Sequence, residues 1–119
     1  VIAAFDGAMH AVTERHFDTS RWYFPTLGEH AVRLERAGFD VAHAYTFARP
    51  SFVADADGTS GLHLWFRLFA NDVLEALGDA EPAVIAEAER RAQNLRREGG
   101  YSLDYVRLRY RAGARAIGK

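Results

Sequence analysis

The sequence has no cysteine among its 119 residues, which excludes disulfide staples and thiolate metal sites. It has no apolar run near the roughly 20 residues that a membrane-spanning helix needs. The densest run, Leu62 to Ala70, is interrupted by His63 and Arg67. An excess of one charge is lacking as well: 15 basic residues against 16 acidic ones leave a net charge of −1. A chain so balanced has no overall field to draw in nucleic acid or an anionic membrane, so neither is expected as a partner. The N-terminus lacks the basic n-region of a secretory leader, and a cytoplasmic location is expected.

Missing motifs narrow the chemistry further. The ten glycines never form Gly-x-Gly-x-x-Gly, so no autonomous nucleotide or cofactor loop is expected. There is no Gly-x-Ser-x-Gly elbow, and Ser20, Ser51, Ser60 and Ser102 fall in loops or turns without a neighbouring histidine. His10, His16, His30, His43 and His63 lie on different elements without His-Glu-x-x-His spacing, so no metal site is expected. His10 and His16, six residues apart, do not share a helix face. Asp55 and Asp57 read as a solvated turn, because the ligand pattern of a calcium loop fails after Gly58.

What is present suffices for one small domain or fragment over residues 1–119, with 49% hydrophobic residues and too little length for two domains. Ile2, Phe5, Met9 and Val12 recur at helical spacing from the first residue, with no capping residue before them. The chain therefore reads as cut, or as the end of something longer. This helix is expected to run to about Phe17. Thr26 and Glu29 form a capping box ahead of a helix with Leu27, Ala31, Leu34 and Ala37 on one face, and Gly38 ends it. Phe39 to Phe47 alternates, with Phe39, Val41, His43, Tyr45 and Phe47 on one side of a strand.

Ala48 to Gly61, with Pro50 and Asp57-Gly58, reads as a loop. Leu62 to Leu77 is a helix apolar over more than half its circumference, expected to be substantially buried. A fourth helix starts near Pro82, carries Arg90, Arg91, Arg96 and Arg97 towards its end, and stops at Gly99-Gly100. Leu103 to Ala112 alternates as one long strand with one buried face. Four helices and two strands leave little sheet, and a two-stranded sheet is marginal in water with edges open to pairing. Missing residues or a second copy are expected to supply the rest, which predicts a homodimer or larger.

Arg107, Arg109 and Arg111 share one strand face suited to carboxylate or phosphate recognition. The ordinary alternative is a solvent-facing edge, or salt bridges to the fourth helix. Trp22, Tyr23, Trp65 and Tyr105 can wall a small-molecule pocket, with core packing as the alternative.

Five words occur in order: Trp22-Tyr23-Phe24-Pro25-Thr26-x-Gly28-Glu29, Ala37-Gly38-Phe39-Asp40-Val41, Phe47-Ala48-Arg49-Pro50, Gly61-Leu62-x-x-Trp65-x-x-x-Phe69-Ala70, and Asp104-Tyr105-x-Arg107-Leu108-Arg109. Together they resemble the C-terminal portion of class I S-adenosylmethionine-dependent methyltransferases of the trans-aconitate methyltransferase-like kind, over roughly residues 1–112. The resemblance implies an α/β, Rossmann-like fold. Phe39 to Phe47 would be its parallel sixth strand, Leu103 to Ala112 its antiparallel seventh, and the helices between would cover the substrate. His63-Leu64 stands where relatives tend to carry an Arg-Asn pair.

The implied chemistry is methyl transfer to a small molecule, with a carboxylate as the acceptor in the named case. A sulfonium methyl is already activated, so the main needs are alignment and a dry pocket. The resemblance makes Trp22 and Tyr23 pocket walls, and His63 and Arg107 orienting groups. The family's S-adenosylmethionine contacts lie N-terminal to everything present, so no cofactor-binding residue is expected. The chain alone is expected neither to bind the cofactor nor to be active. Its expected partners are a small-molecule substrate and either a second copy or the missing N-terminal half. The alternative is a non-enzymatic dimerisation or small-ligand-binding module derived from a truncated methyltransferase.

Overall fold

The computed structural model describes residues 1–116. Its elements are mixed α/β: helices α1 (Ile2–Thr13), α2 (Leu27–Arg36), α3 (Gly61–Leu77) and α4 (Glu81–Arg91), and strands β1 (Phe39–Ala48), β2 (Ser51–Ala54), β3 (Arg96–Arg97), β4 (Gly100–Leu103) and β5 (Val106–Ala114). The chain divides into two compact units, one of Val1–Arg21 with Pro50–Asp104, the other of Trp22–Arg49 with the segment from Tyr105 on.

The first unit holds the core. In α1 the spacing of Phe5, Ala8 and Met9 buries one face, and that helix packs along α4. It ends at Thr13, four residues earlier than the periodicity suggests. Glu14 takes a left-handed conformation at φ 61°, and the Asp6 carboxylate accepts the Phe17 amide at 2.7 Å. The chain thereby folds back, placing the Phe17 ring edge-on against Phe5 at 5.0 Å. Phe5 in turn lies 4.1 Å from Phe66 of α3, and both rings are fully buried. This turn also stacks His16 on His10 at 4.3 Å, a pairing that helix spacing alone does not suggest.

Three expectations are corrected in this unit. First, among the described residues five strands stand where two were expected: the stretch read as a loop contains β2, the end of the expected fourth helix forms β3, and the expected last strand divides into β4 and β5. Strand β2 pairs antiparallel with β4, and β4 with β3. Asp57-Gly58 closes a tight turn bridged by Ala56 and Thr59, both central residues at positive φ, the Asp-Gly chemistry of a primed turn. Second, α4 ends at Arg91. Arg96 and Arg97 belong to β3, which turns into β4 through Gly99 at φ +75°. Third, α3 is kinked at Ala70 (φ −144°, ψ 34°). Its Leu62, Trp65, Phe66, Leu74 and Leu77 are buried, whereas Leu68 is 75% exposed and Phe69 46%.

The second unit carries the motif-rich helix–strand pair. The Thr26–Glu29 capping box is formed in both directions, at 3.1 Å and 3.3 Å, and Gly38 leaves the helix at φ +96°. Helix α2 packs on β1, and among the described residues β1 pairs only with β5, antiparallel, from Phe39↔Ala114 to Ala48↔Val106. Arg115 fastens the end of this layer, bonding the Asp40 carboxylate and the Glu35 and Phe39 carbonyls.

A bulge between Val41 and His43 shifts the register, so the expected single side of β1 is split. Phe39 and Val41 share the α2-facing side with Tyr110 and Ala112, while His43, Tyr45 and Phe47 oppose Arg111, Arg109 and Arg107 on the other. The expected long strand 103–112 is likewise broken at Asp104-Tyr105 into β4 and β5, in separate sheets. No described residue of the second unit is buried, so the expected buried faces of α2 and β5 are only half-covered.

Two glycines permit the closest approaches. A Cβ on Gly61 or on Gly100 would run into the Val53 carbonyl, whereas one on helical Gly28 would meet open space. Gly61→Ala and Gly100→Ala are each expected to cost about 2 kcal/mol or more through forced backbone shifts. Gly28→Ala should stabilise by about 0.5–1 kcal/mol. Thermal melts at neutral pH check the pattern; similar changes at all three sites would contradict it.

Candidate functional site

In the first unit the break at Ala70 bends α3, so that His63, on its first turn, lies against Glu81 at the start of α4. The His63 Nε2 and Glu81 Oε1 lie 2.8 Å apart, with side chains 18% and 27% exposed. The pair opens on a concavity of about 360 Å3 lined also by Arg67, Pro82, Ile85 and Glu89. A carboxylate that fixes one ring nitrogen orients the imidazole, the arrangement that proton transfer and anion orientation both use.

Beside it, Ser60 caps α3 by accepting the His63 amide and donates its hydroxyl to Glu89 at 2.6 Å. Asp55 accepts the Gly61 amide at 2.7 Å and both Arg96 donors at 3.0 and 2.7 Å. The Arg96 guanidinium, helped by that amide, holds the Asp55 carboxyl below the usual carboxylate range. Arg96 also lies over the Tyr101 ring at 4.9 Å. Burial, reinforced by the Glu89 charge, pushes the Tyr101 hydroxyl up from its ordinary value. This network lines a second concavity of about 370 Å3, which shares only Glu89 with the first.

In the second unit two surfaces emerge. On the α2 side, Tyr23 Oη is 3.0 Å from His30 Nδ1, Arg33 lies over the Tyr23 ring at 4.8 Å, and His30 sits 4.8 Å from Tyr110. The His30 Nε2 is buried with no hydrogen-bond partner among the described residues. On the opposite side, Arg109 lies over Phe47 at 5.0 Å, and His43, Tyr45 and Phe47 follow one another at 5.2 and 5.8 Å.

The chain matches no protein-family model and no curated protein.

The four residues expected to contact substrate do not converge within one unit. Trp22 is half-buried and lies 6.1 Å from Phe24, and Tyr23 is 50% exposed beside α2. Arg107 points from the other face of the β1–β5 ribbon, because strand alternation separates it from Tyr110. His63 belongs to the first unit. Trp65 is core, against Phe66 and Phe69. Among the described residues no group of three or more His, Asp or Glu is placed to hold a metal ion. The pairing of His63 with Glu81 was not signalled locally, since 18 residues separate them. The helix-start reading at Glu81 and Pro82 held the hint.

Several carboxylates of the first unit are held low by arginines. Asp72 is pulled to about 2 by Arg21, and Glu87 to about 2 by Arg90 and then Arg91. A depressed folded-state value stabilises above the unfolded value and is lost as protons bind. The melting temperature of this unit is therefore expected to be flat near neutrality and to fall as pH drops from about 4.5 towards 2. Asp72→Asn should flatten part of that fall, and a pH series of melts that leaves wild type and variant parallel would contradict the assignment.

Proposed function

We propose that this chain is the acceptor-side region of an S-adenosylmethionine-dependent methyltransferase acting on a small molecule, with a carboxylate as the acceptor group. One observation carries the reading. A capped helix leads into β1, residues 50–104 follow and share a core with Val1–Arg21, and the chain returns as β5 antiparallel to β1. That order is what the resemblance implies for a sixth strand, a substrate-covering insertion and a reversed seventh strand of a Rossmann-like sheet.

The described residues do not fit the cofactor. A loop that approaches the cofactor's nucleoside closely needs glycines between a strand end and a helix start. Gly58 and Gly61 do lie between β2 and α3, but Gly58 closes the Asp57-Gly58 turn, while the Gly61 amide is taken by Asp55 and its open side by the Val53 carbonyl. No step of methyl transfer is derived from this chain, whose residues bind and orient the acceptor. In this reading the Arg107 guanidinium offers the forked donors that a carboxylate accepts. Within the β1–β5 unit that role falls to Arg107, since Tyr23 stands on the α2 side and His63 belongs to the other unit.

The second reading, a dimerising or ligand-binding module without enzymatic activity, is favoured because no described residue of the α2–β1–β5 unit is buried. Such a layer gains by pairing with another chain.

Titration calorimetry of the 119-residue chain with S-adenosylmethionine is expected to give no binding heat. The product of the complete reading frame should transfer labelled methyl groups to small carboxylic acids. Absence of transfer together with a stable dimer in sedimentation would favour the module. Micromolar cofactor binding by this chain alone would overturn its assignment to the acceptor side.

A further inference from the structure

The near-zero net charge hides a segregation. The unit of Trp22–Arg49 and the segment from Tyr105 on carries eight Lys and Arg against three Asp and Glu. The other unit carries seven against thirteen. The premise that balanced charge offers no field to a polyanion therefore fails for the β1–β5 unit taken by itself.

On the ribbon face away from α2, the register sets His43 opposite Arg111, Tyr45 opposite Arg109 and Phe47 opposite Arg107. All but half-buried Phe47 are exposed, Tyr45 by 40%. Cross-strand partners and residues two apart on a strand share a face, so rings and guanidinium groups line up along it; Arg109 leans onto Phe47 at 5.0 Å, and His43 and Tyr45 keep the open ring faces. Asp40, the sole carboxylate on that face of the two strands, is already held by Arg115 at 3.0 Å.

We propose that this face binds single-stranded RNA. Arginines two residues apart repeat at about 6.8 Å, twice the roughly 3.4 Å per-strand phosphate rise of a stacked duplex. That spacing suits the backbone of an extended strand. The ring row supplies what an arginine row alone does not, apolar faces on which successive unpaired bases stack. A purely acidic peptide has no use for those faces, and duplex nucleic acid keeps its own bases stacked and out of reach. The Tyr45 hydroxyl and the His43 imidazole add donors and acceptors within the row. A ribose 2′-hydroxyl can use them and deoxyribose cannot, which selects RNA. The inference does not rest on the methyltransferase reading, which assigns Arg107 to the acceptor instead.

Fluorescence anisotropy of the intact chain with a short labelled single-stranded RNA tests it. Three arginine–phosphate contacts are expected to give a slope of log affinity on log salt of about −2. Arg107→Gln with Arg111→Gln should make that slope shallower by more than one. Tyr45→Ser should weaken binding about tenfold and leave the slope unchanged, since stacking releases no counterions. Tyr45→Phe keeps the ring and should keep most of the affinity. Ring resonances of Tyr45 and Phe47 in the unmodified protein should shift on titration, a readout that no folding defect in a variant can mimic.

Absence of binding at about 50 mM salt would overturn the proposal. So would polyglutamate competing as well as RNA, or ring resonances that do not move. Equal affinity for DNA of the same sequence would overturn the assignment to RNA. Salt-reversible self-association through the same arginines, without RNA, would assign the face to the acidic unit of a second copy instead.

Discussion

Three backbone segments converge on the Val53 carbonyl, and the first unit depends on that convergence. The start of α3 passes it at Gly61 and β4 passes it at Gly100, each without room for a Cβ. Asp55, two residues on, ties the same junction by accepting the Gly61 amide and the Arg96 fork. With β2, β4 and the head of α3 locked at this spacing, Leu62 and Leu103 become fully buried. His63 is set on the rim facing Glu81. The order of dependence runs from backbone clearance to core to site.

The second unit is built on a different principle. Its local signals are strong: a capping box, a glycine stop, a bulge and a regular antiparallel ladder. Yet local order stabilises little without burial, and two strands under one helix close no core. The same sparseness leaves the ribbon face opposite α2 uncovered, with its ring and arginine rows, while Tyr23, His30 and Tyr110 cluster under α2 on the other face. An acceptor-side role, a partner chain and an RNA strand each answer the same physical need, which is something to lie against an uncovered ribbon.

Much of this was legible in the sequence. The α2 capping box, the Gly38 stop, the start of α4 at Pro82 and the strand after Gly38 rest on nearest-neighbour chemistry, which local patterns report directly. The errors share one cause. Strand β2 was hidden because Pro50 and Asp57-Gly58 mark turns without saying that four residues between them pair with distant β4. The unbroken alternation of 103–112 concealed a change of sheet at Asp104-Tyr105. The bulge at Ala42 re-sorted the faces of β1, which period-two counting cannot foresee. For the site, Trp22, Tyr23, His63 and Arg107 were chosen by type and motif, but alternation and unit membership decide where each is presented. The segregation of charge became visible only once the units were defined, because 15 and 16 opposing charges cancel in any whole-chain sum.

The central claim is that one unit carries the core while the α2–β1–β5 unit has none of its own. Residue-resolved amide hydrogen exchange of the free chain tests it most directly. The expected result is slow exchange, at the free energy of global unfolding, for amides around Phe66, Leu74, Val84 and Ala88, with the β1–β5 ladder exchanging at much lower free energy. Equal protection of the β1–β5 ladder and of α3 and α4 would contradict the account.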